Sequence, residues 1–364
     1  MNFDLSDEQK MLAEQARGLL GERSPAERLR ALIADGAEWD EPLWRELAEM
    51  GFLGAAIAED HGGLGMTALD LGVISQELGR ANASLPFFSS IVLAANALAL
   101  AGSDAQKAAW LPAVASGERI GTFAYAEGPA DWLALTPATR LVNGRITGTK
   151  RPVADGGIAD FAVVLVDAGQ GPALAVVDLD QPEVTREKLD SFDQLRAQYA
   201  ISFAGAKAEL LDASTGAQII SSLLDAAAVQ ASFEAVGGAQ ACLEMARLYA
   251  LDRQIFGRSL ASYQAIKHRL ADIAVAIELA LSNAYFAAWA VSEAPAELAG
   301  AAAAARLTAI AAFESAAREN IQVHGGIGYT FEANCHFYYR RERTLLLSLG
   351  GREVWADRLI ATVA

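Results

Sequence analysis

The chain has 364 residues carrying 29 Lys+Arg against 45 Asp+Glu, a formal net charge of −16. That balance argues against nucleic acid and against a membrane as main partners, since polyanions and anionic lipid both demand a Lys/Arg excess. With 53% apolar and 20% charged residues, the composition is that of a folded protein of two or three domains rather than a disordered chain or one small core.

Residues 1–118 read as a helical N-terminal domain. Ser6 and Gln9 have capping-box spacing, and apolar residues then recur at helical intervals through Leu12, Ala16 and Leu19. The segment EPLWRELAEMGFLG predicts a second helix closed by Gly51, and HGGLGM at 61–66 a Gly-rich loop. Helices are expected over 68–80 and about 88–101. The uncharged run from Ala81 to Ser103 is too interrupted by polar residues for the roughly 20 apolar residues of a membrane span, so a buried helix is expected there. The N-terminus MNFDLSDEQKMLAEQ lacks the basic-then-apolar pattern of a signal peptide. Two cysteines outside any CxxC pair make no disulfide framework, and a soluble, cytoplasmic protein is expected.

Residues 119–213 change texture. GTFAYAE, RITGTK, FAVVLV, ALAVVDL and QYAISF are separated by Gly, Asp and Pro clusters, which predicts a small antiparallel β domain rather than βαβ units. Residues 214–364 turn helical and Ala-rich, with periodic stretches at 216–252, 262–292, 296–322 and 331–361. They predict a C-terminal four-helix bundle.

Searches for chemistry by residue type are mostly negative. The chain has no GxxxxGK[ST] loop, no HExxH helix, no GxSxG turn and no GxGxxG loop. Its four histidines are scattered, Cys335-His336 being the only close pair of soft ligands, so no metal site is expected. Cys242 lies in an apolar helix and is expected to be a buried small hydrophobe. Two constellations stand out. In YALDRQIFGRSLASYQAIKHRLADI (249–273), Arg253 and Arg258 flank an Ile-Phe-Gly break between helices, and Gln264 follows. Such a helix–turn–helix corner can hold a phosphate-bearing ligand. In IQVHGGIGYTFE (321–332), three glycines interrupt a helical run and let backbone approach a ligand closely. On residue types alone, an ordinary helix–helix turn with solvated arginines is the simpler reading of each.

At these residues the sequence resembles the acyl-CoA dehydrogenase family, FAD enzymes that oxidise the α–β bond of acyl-CoA thioesters. The family's RxxFG…FQAIQH corner is matched by Arg253, Phe256 and Gly257, then Tyr263-Gln264-Ala265-Ile266-Lys267-His268. Its QxHGGxGYT turn is matched by Gln322, His324, Gly325, Gly326, Gly328, Tyr329 and Thr330. LWRELAEMGFLGAAIAEDHGGLGMTALDL and AGSDAQKAAWLPAVASGE resemble family segments too, so the likeness covers nearly the whole chain. It implies a helical N-terminal domain, a small antiparallel β domain and a C-terminal four-helix bundle. It also implies that Arg253, Phe256 and Gln264, with Gln322, Val323, His324, Gly325 and Gly326, serve the pyrophosphate and adenosine end of FAD bound mainly to a neighbouring subunit.

The family's catalytic base is missing from both places it occupies. Where a Tyr-Glu-Gly-Thr turn would stand, this chain has Leu349-Gly350-Gly351-Arg352, and where Leu-Asp-x-Glu-Arg would stand it has Leu224-Asp225-Ala226-Ala227-Ala228. The groups for the flavin ring depart as well. A shortened Ala126-Glu127-Gly128-Pro129-Ala130-Asp131 replaces Thr-Glu-Pro-x-Ala-Gly-Ser-Asp, and Pro152-Val153-Ala154 replaces an aromatic-Ile-Thr/Ser triplet. The resemblance therefore implies a chain with no catalytic residue of its own. It would be one half of a heteromeric (heterotetrameric) acyl-CoA dehydrogenase, alongside a sister subunit, an acyl-CoA substrate and an electron-transfer acceptor. Bulky thioesters of lipid or steroid catabolism suit such pairs. The alternatives are a homo-oligomeric dehydrogenase with a displaced base, Asp225 or Glu234 being nearest in that helix, and a non-enzymatic assembly subunit.

Overall fold

The computed structural model describes residues 5–128, 135–213 and 215–363. Helices α1 (Asp7–Arg23), α2 (Ala26–Ala34), α3 (Glu41–Glu49), α4 (Ala68–Ala81), α5 (Phe88–Ala101) and α6 (Asp104–Ala115) precede the sheet. The expected box at α1 is closed on both sides: Gln9 N–H donates to Ser6 Oγ at 3.2 Å and Ser6 N–H to Gln9 Oε1 at 3.0 Å. A second box, Ser103 with Gln106, starts α6 and went unread in the sequence. Helix α3 starts at Asp40, whose carboxylate caps Leu43 N–H, and is followed by Gly51 in the left-handed region at φ 78°. Helix α5 opens with a π-helical stretch, Phe88–Ala95, that is buried throughout.

The sheet has eight strands: β1 (Gly121–Ala124), β2 (Arg140–Val142), β3 (Arg145–Ala154), β4 (Phe161–Asp167), β5 (Pro172–Asp178), β6 (Val184–Leu189), β7 (Gln198–Lys207) and β8 (Glu209–Leu210). Their order is β6-β7-β3-β2-β4-β5-β8, with β1 on β4. The antiparallel expectation needs a correction, because β1 and β2 both pair with β4 in parallel. Neither joins β4 through a hairpin, so the geometry that enforces antiparallel pairing is absent there. β4 is buried on both faces from Phe161 to Val166 and β5 from Ala173 to Val177, which is why both read as unbroken apolar runs. The edge strand β6, VTREKL, is half exposed and polar, and its missing alternation hid it from the sequence reading.

Helices α7 (Ala217–Asp252), α8 (Gln264–Glu293), α9 (Leu298–His324), α10 (Cys335–Leu347) and α11 (Arg352–Val363) follow. The last periodic zone is two helices rather than one, broken where Leu349 and Gly350 take φ 58° and 87°. Helices α7 and α8 are long and apolar enough to cross a membrane by length and composition alone, but 78% of the α7 window and 39% of the α8 window are buried within the protein.

Backbone proximity divides the chain into two compact units. One gathers Arg30–Thr67 and Ser84–Ala227; the other gathers the chain to Leu29, Ala68–Ala83 and Ala228–Ala364. The first is built on the sheet, with Ile146, Val153, Val164, Val177, Ile201 and Phe203 in its core. In the second, Phe313 packs among Val236, Cys242, Ile273, Ile277 and a set of fully buried alanines of α9. A methyl group on Gly238 would meet the Phe313 ring at 2.4 Å, so the small residues read from composition are what let these helices approach.

Candidate functional site: two distant motifs at one corner

Helix α7 stops at Asp252, and the chain does not turn directly into α8. Two short strands intervene, β9 (Gln254–Ile255) and β10 (Arg258–Ser259), paired antiparallel. Phe256 at φ 50° and Gly257 at φ 80° form the two-residue loop, the double positive φ of a type I′ hairpin. The predicted helix–turn–helix corner is therefore corrected to a helix–hairpin–helix corner. The hairpin is pinned by Leu260 N–H donating to Arg253 O at 2.7 Å and by Tyr263 O–H donating to Ile255 O at 3.0 Å. Tyr263 also carries the Arg258 guanidinium 3.9 Å above its ring.

These contacts sort the side chains. Arg258 is held by its stacking partner, whereas among the described residues the exposed Arg253 meets no acid partner. Phe256 is 95% exposed, so an aromatic ring stands at the tip of the hairpin in a backbone conformation that non-glycine residues adopt only under strain. Gln264 is exposed as the first residue of α8.

The second motif ends α9. His324 is its last helical residue, and Gly325, at φ 65°, begins a 3-10 turn through Tyr329. His324 Nδ1 lies 2.8 Å from Asn320 O; with Nδ1–H donating there, Nε2 of the neutral ring is an acceptor. The imidazole stacks on Tyr249 of α7, centroids 4.2 Å and planes 29° apart. Val323 packs with Ala246, Ala250 and Leu260. The hairpin corner and the glycine turn, separated by some sixty residues of sequence, are thus one local structure.

The eight residues expected to touch cofactor do not stand alike. Arg253, Phe256, Gln264, Gln322 and Gly326 are exposed and His324 and Gly325 half-buried, but the Val323 side chain belongs to the core. Val323 can offer a ligand only its backbone. A Cβ at Gly325 or Gly326 would meet nothing within 4 Å, so these glycines leave open space beside the backbone. Tyr249, one turn before the end of α7, orients His324, and Tyr263, the residue before α8, pins the hairpin; both lie within the motif segments, where the sequence assigned them no contact.

Both positions of the missing base are closed. Gly350 is buried at φ 87° behind a fully buried Leu349, whose carbonyl accepts from Trp355 Nε1 at 2.8 Å. Ala227 is fully buried within α7. Glu234, seven residues on, is buried and bound to Arg341 Nη1 at 3.2 Å. By the helical rise it lies about 10 Å along the axis from Ala227.

In the β domain, Glu127 accepts from Ala138 N, Thr139 N and Lys150 Nζ at 2.7, 2.9 and 2.6 Å. Lys150 is fully buried and also donates to Tyr125 O. Burial opposes the Glu127 charge, but these donors outweigh it and hold the carboxyl at about 2. Val153 lies in the sheet core, and Pro152-Val153-Ala154 offers no aromatic ring to a ligand. Pro129, Ala130 and Asp131 lie outside the described residues. Among the described residues no group of three His, Cys, Asp or Glu is placed to hold a metal ion. Cys242 and Cys335 are both buried thiols.

The chain belongs to the acyl-CoA dehydrogenase family. Its residues 6–118 match the family model described as "Acyl-CoA dehydrogenase, N-terminal domain", and residues 214–364 the one described as "Acyl-CoA dehydrogenase, C-terminal domain". Members are FAD-binding oxidoreductases. Among similar proteins is acyl-CoA dehydrogenase IpdE2 of Mycobacterium tuberculosis, 32% identical over 92% of this chain and 91% of that one. A variant of the Tcur3481–Tcur3483 steroid ACAD superposes with a TM-score of 0.90 at 29% identity, covering 98% of each chain. The ChsE4–ChsE5 complex from Mycobacterium tuberculosis contains a chain with a TM-score of 0.91 at 27% identity, covering 100% of this chain and 99% of that one.

Proposed function

We propose that this chain is the base-lacking subunit of a heteromeric acyl-CoA dehydrogenase and supplies the pyrophosphate and adenosine side of an FAD site to a sister subunit. The observation that carries this reading is the union of the corner and the turn through Tyr249–His324 stacking and the Val323–Leu260 cluster, set against two closed base positions. The relatives named as the Tcur3481–Tcur3483 and ChsE4–ChsE5 pairs fit a two-chain assembly and a steroid-type acyl-CoA substrate.

The local chemistry suits the dinucleotide end. Arg253 brings a guanidinium not spent on an internal acid, able to give paired, charge-assisted hydrogen bonds to a pyrophosphate. Gln322 and the open backbone at Gly325 and Gly326 would hold the nucleotide beyond it, Gln264 would add amide hydrogen bonds, and Phe256 would cover an apolar face. FAD, once bound, supplies the hydride acceptor for α,β-dehydrogenation; the proton at the substrate α-carbon would be taken by a carboxylate of the sister subunit. A displaced base in this chain is disfavoured because Glu234 is occupied by Arg341.

The test is co-expression with the sister subunit. Flavin should be found in the complex and lost or strongly reduced in the isolated chain. One tightly bound FAD per isolated chain would overturn the reading.

A further inference from the structure

The helical unit carries a cleft that the cofactor reading does not use. Residues of α1, α2, α4, α7 and α10, all within that unit, enclose about 260 Å³. None of the eight motif residues lines it. Leu20, Leu29 and Phe337 are buried in its wall, and Met245 is half-buried there. Gly21 lines it as well, and a Cβ at that position would meet nothing within 4 Å.

The charged groups of the cleft are unevenly matched. Arg17 and Arg80 both lean on one buried carboxylate, that of Glu77. Arg17 donates to it through Nε at 3.0 Å and Nη2 at 2.7 Å. Arg80 brings Nε to 3.2 Å from Glu77 Oε2 without making a hydrogen bond, and spends Nη2 on Gln240 Oε1. Nη1 of each arginine meets no acceptor among the described residues. Of the other acids that act on this pair, Glu14 is exposed and Glu244 gives both oxygens to Arg247. Two guanidinium charges against one carboxylate leave one positive charge beside an apolar wall, in a chain whose net charge is −16. Burial also holds the Arg80 guanidinium below its ordinary pKa, a penalty that an anion in the cleft would relieve.

Size and chemistry select the occupant. A cleft of about 260 Å³ falls just below drug-sized pockets, about 300–1,000 Å³, and exceeds the roughly 150 Å³ of an apolar cavity that takes up benzene. Planar guanidinium groups favour a planar acceptor with two oxygens, a carboxylate above all, and one spare positive charge matches a monoanion. We propose that the cleft binds a small amphipathic carboxylate, with its apolar body against Leu20, Leu29, Met245 and Phe337 and its oxygens on Nη1 of Arg17 and Arg80. The site shares no residue with the hairpin corner or the glycine turn, so it stands or falls apart from the FAD reading.

The probe is benzoate, with benzamide as its neutral isostere, each titrated into the full chain by ligand-observed NMR. Benzoate should bind roughly tenfold or more tightly than benzamide, because hydrogen bonds between charged groups exceed neutral ones. Arg17→Gln and Arg80→Gln should each erase most of that preference. Gly21→Phe, at an exposed helical position, fills the cleft and should abolish benzoate binding while the circular dichroism of the chain stays unchanged. No benzoate binding, equal affinities for the two probes, or benzoate binding that survives Gly21→Phe would each overturn the proposal; the last would place the anion elsewhere on the chain. Should an arginine variant fail to fold, the benzamide comparison and Gly21→Phe decide the question by themselves.

Discussion

Glu234 of α7 and Arg341 of α10 form a buried ion pair, Oε1 to Nη1 at 3.2 Å, with both side chains almost without solvent contact. Arg341 also donates to Ala83 O. Removing one member leaves an uncompensated charge in a low-dielectric interior. Arg341→Leu is expected to lower unfolding free energy by about 3–5 kcal/mol, measured by urea titration. A loss under about 1 kcal/mol would mean solvent or another group takes over the Glu234 charge.

That pairing also bears on catalysis. Glu234 is buried and tied to Arg341, so it is not free to reach a substrate, and the isolated chain is expected to reduce no dye with any acyl-CoA. Turnover of roughly 1–1000 per second by wild-type chain alone would restore the homo-oligomeric reading.

Installing the missing base should not help. Gly350→Glu places a side chain at φ 87° in a buried turn, a strain of about 1–3 kcal/mol, and Ala227→Glu buries a carboxylate at a fully buried site. Both variants are expected to be less stable than wild type and to remain inactive in the isolated chain. Steady dye reduction by either would show that the flavin ring already has its pocket here.

Arg253→Ala tests the role assigned to the corner. FAD titrated into deflavinated complex should bind more weakly by about 1.5–3 kcal/mol, the range for a hydrogen bond to a charged group, while unfolding of the chain changes by under about 0.5 kcal/mol. Equal FAD affinities would place the corner away from the cofactor.

Phe256 separates stability from binding at the same hairpin. Asparagine tolerates the first position of a type I′ turn far better than phenylalanine, so Phe256→Asn should stabilise the chain by up to about 1 kcal/mol. It should at the same time weaken FAD retention in the complex. Unchanged retention would make the exposed ring irrelevant to the dinucleotide.

The helical, β and helical segments were readable because amphipathic spacing, capping boxes and apolar strands are local properties of the chain. Ser6 with Gln9, the FAVVLV run and the alanines of α9 each declare their structure within a few residues. The break that makes α10 and α11 separate helices was signalled by Gly350-Gly351, but helical spacing on both sides of it let the zone read as one helix. Strand β6 was missed because an exposed edge needs no alternation.

What the sequence by itself determined is the inventory: the order of elements, the motif residues from Arg253 to Gly326 and the lack of a carboxylate at positions 227 and 350. Only the tertiary structure decided which of those residues meet. It inserted a hairpin where a bare helical corner was read, set Tyr249 against His324, moved the Val323 side chain into the core and tied Glu234 to Arg341. The reason is physical. Spacing along a helix specifies a face, but whether that face meets solvent, a ring or a charge depends on the helix packed across from it, and that partner lies tens of residues away.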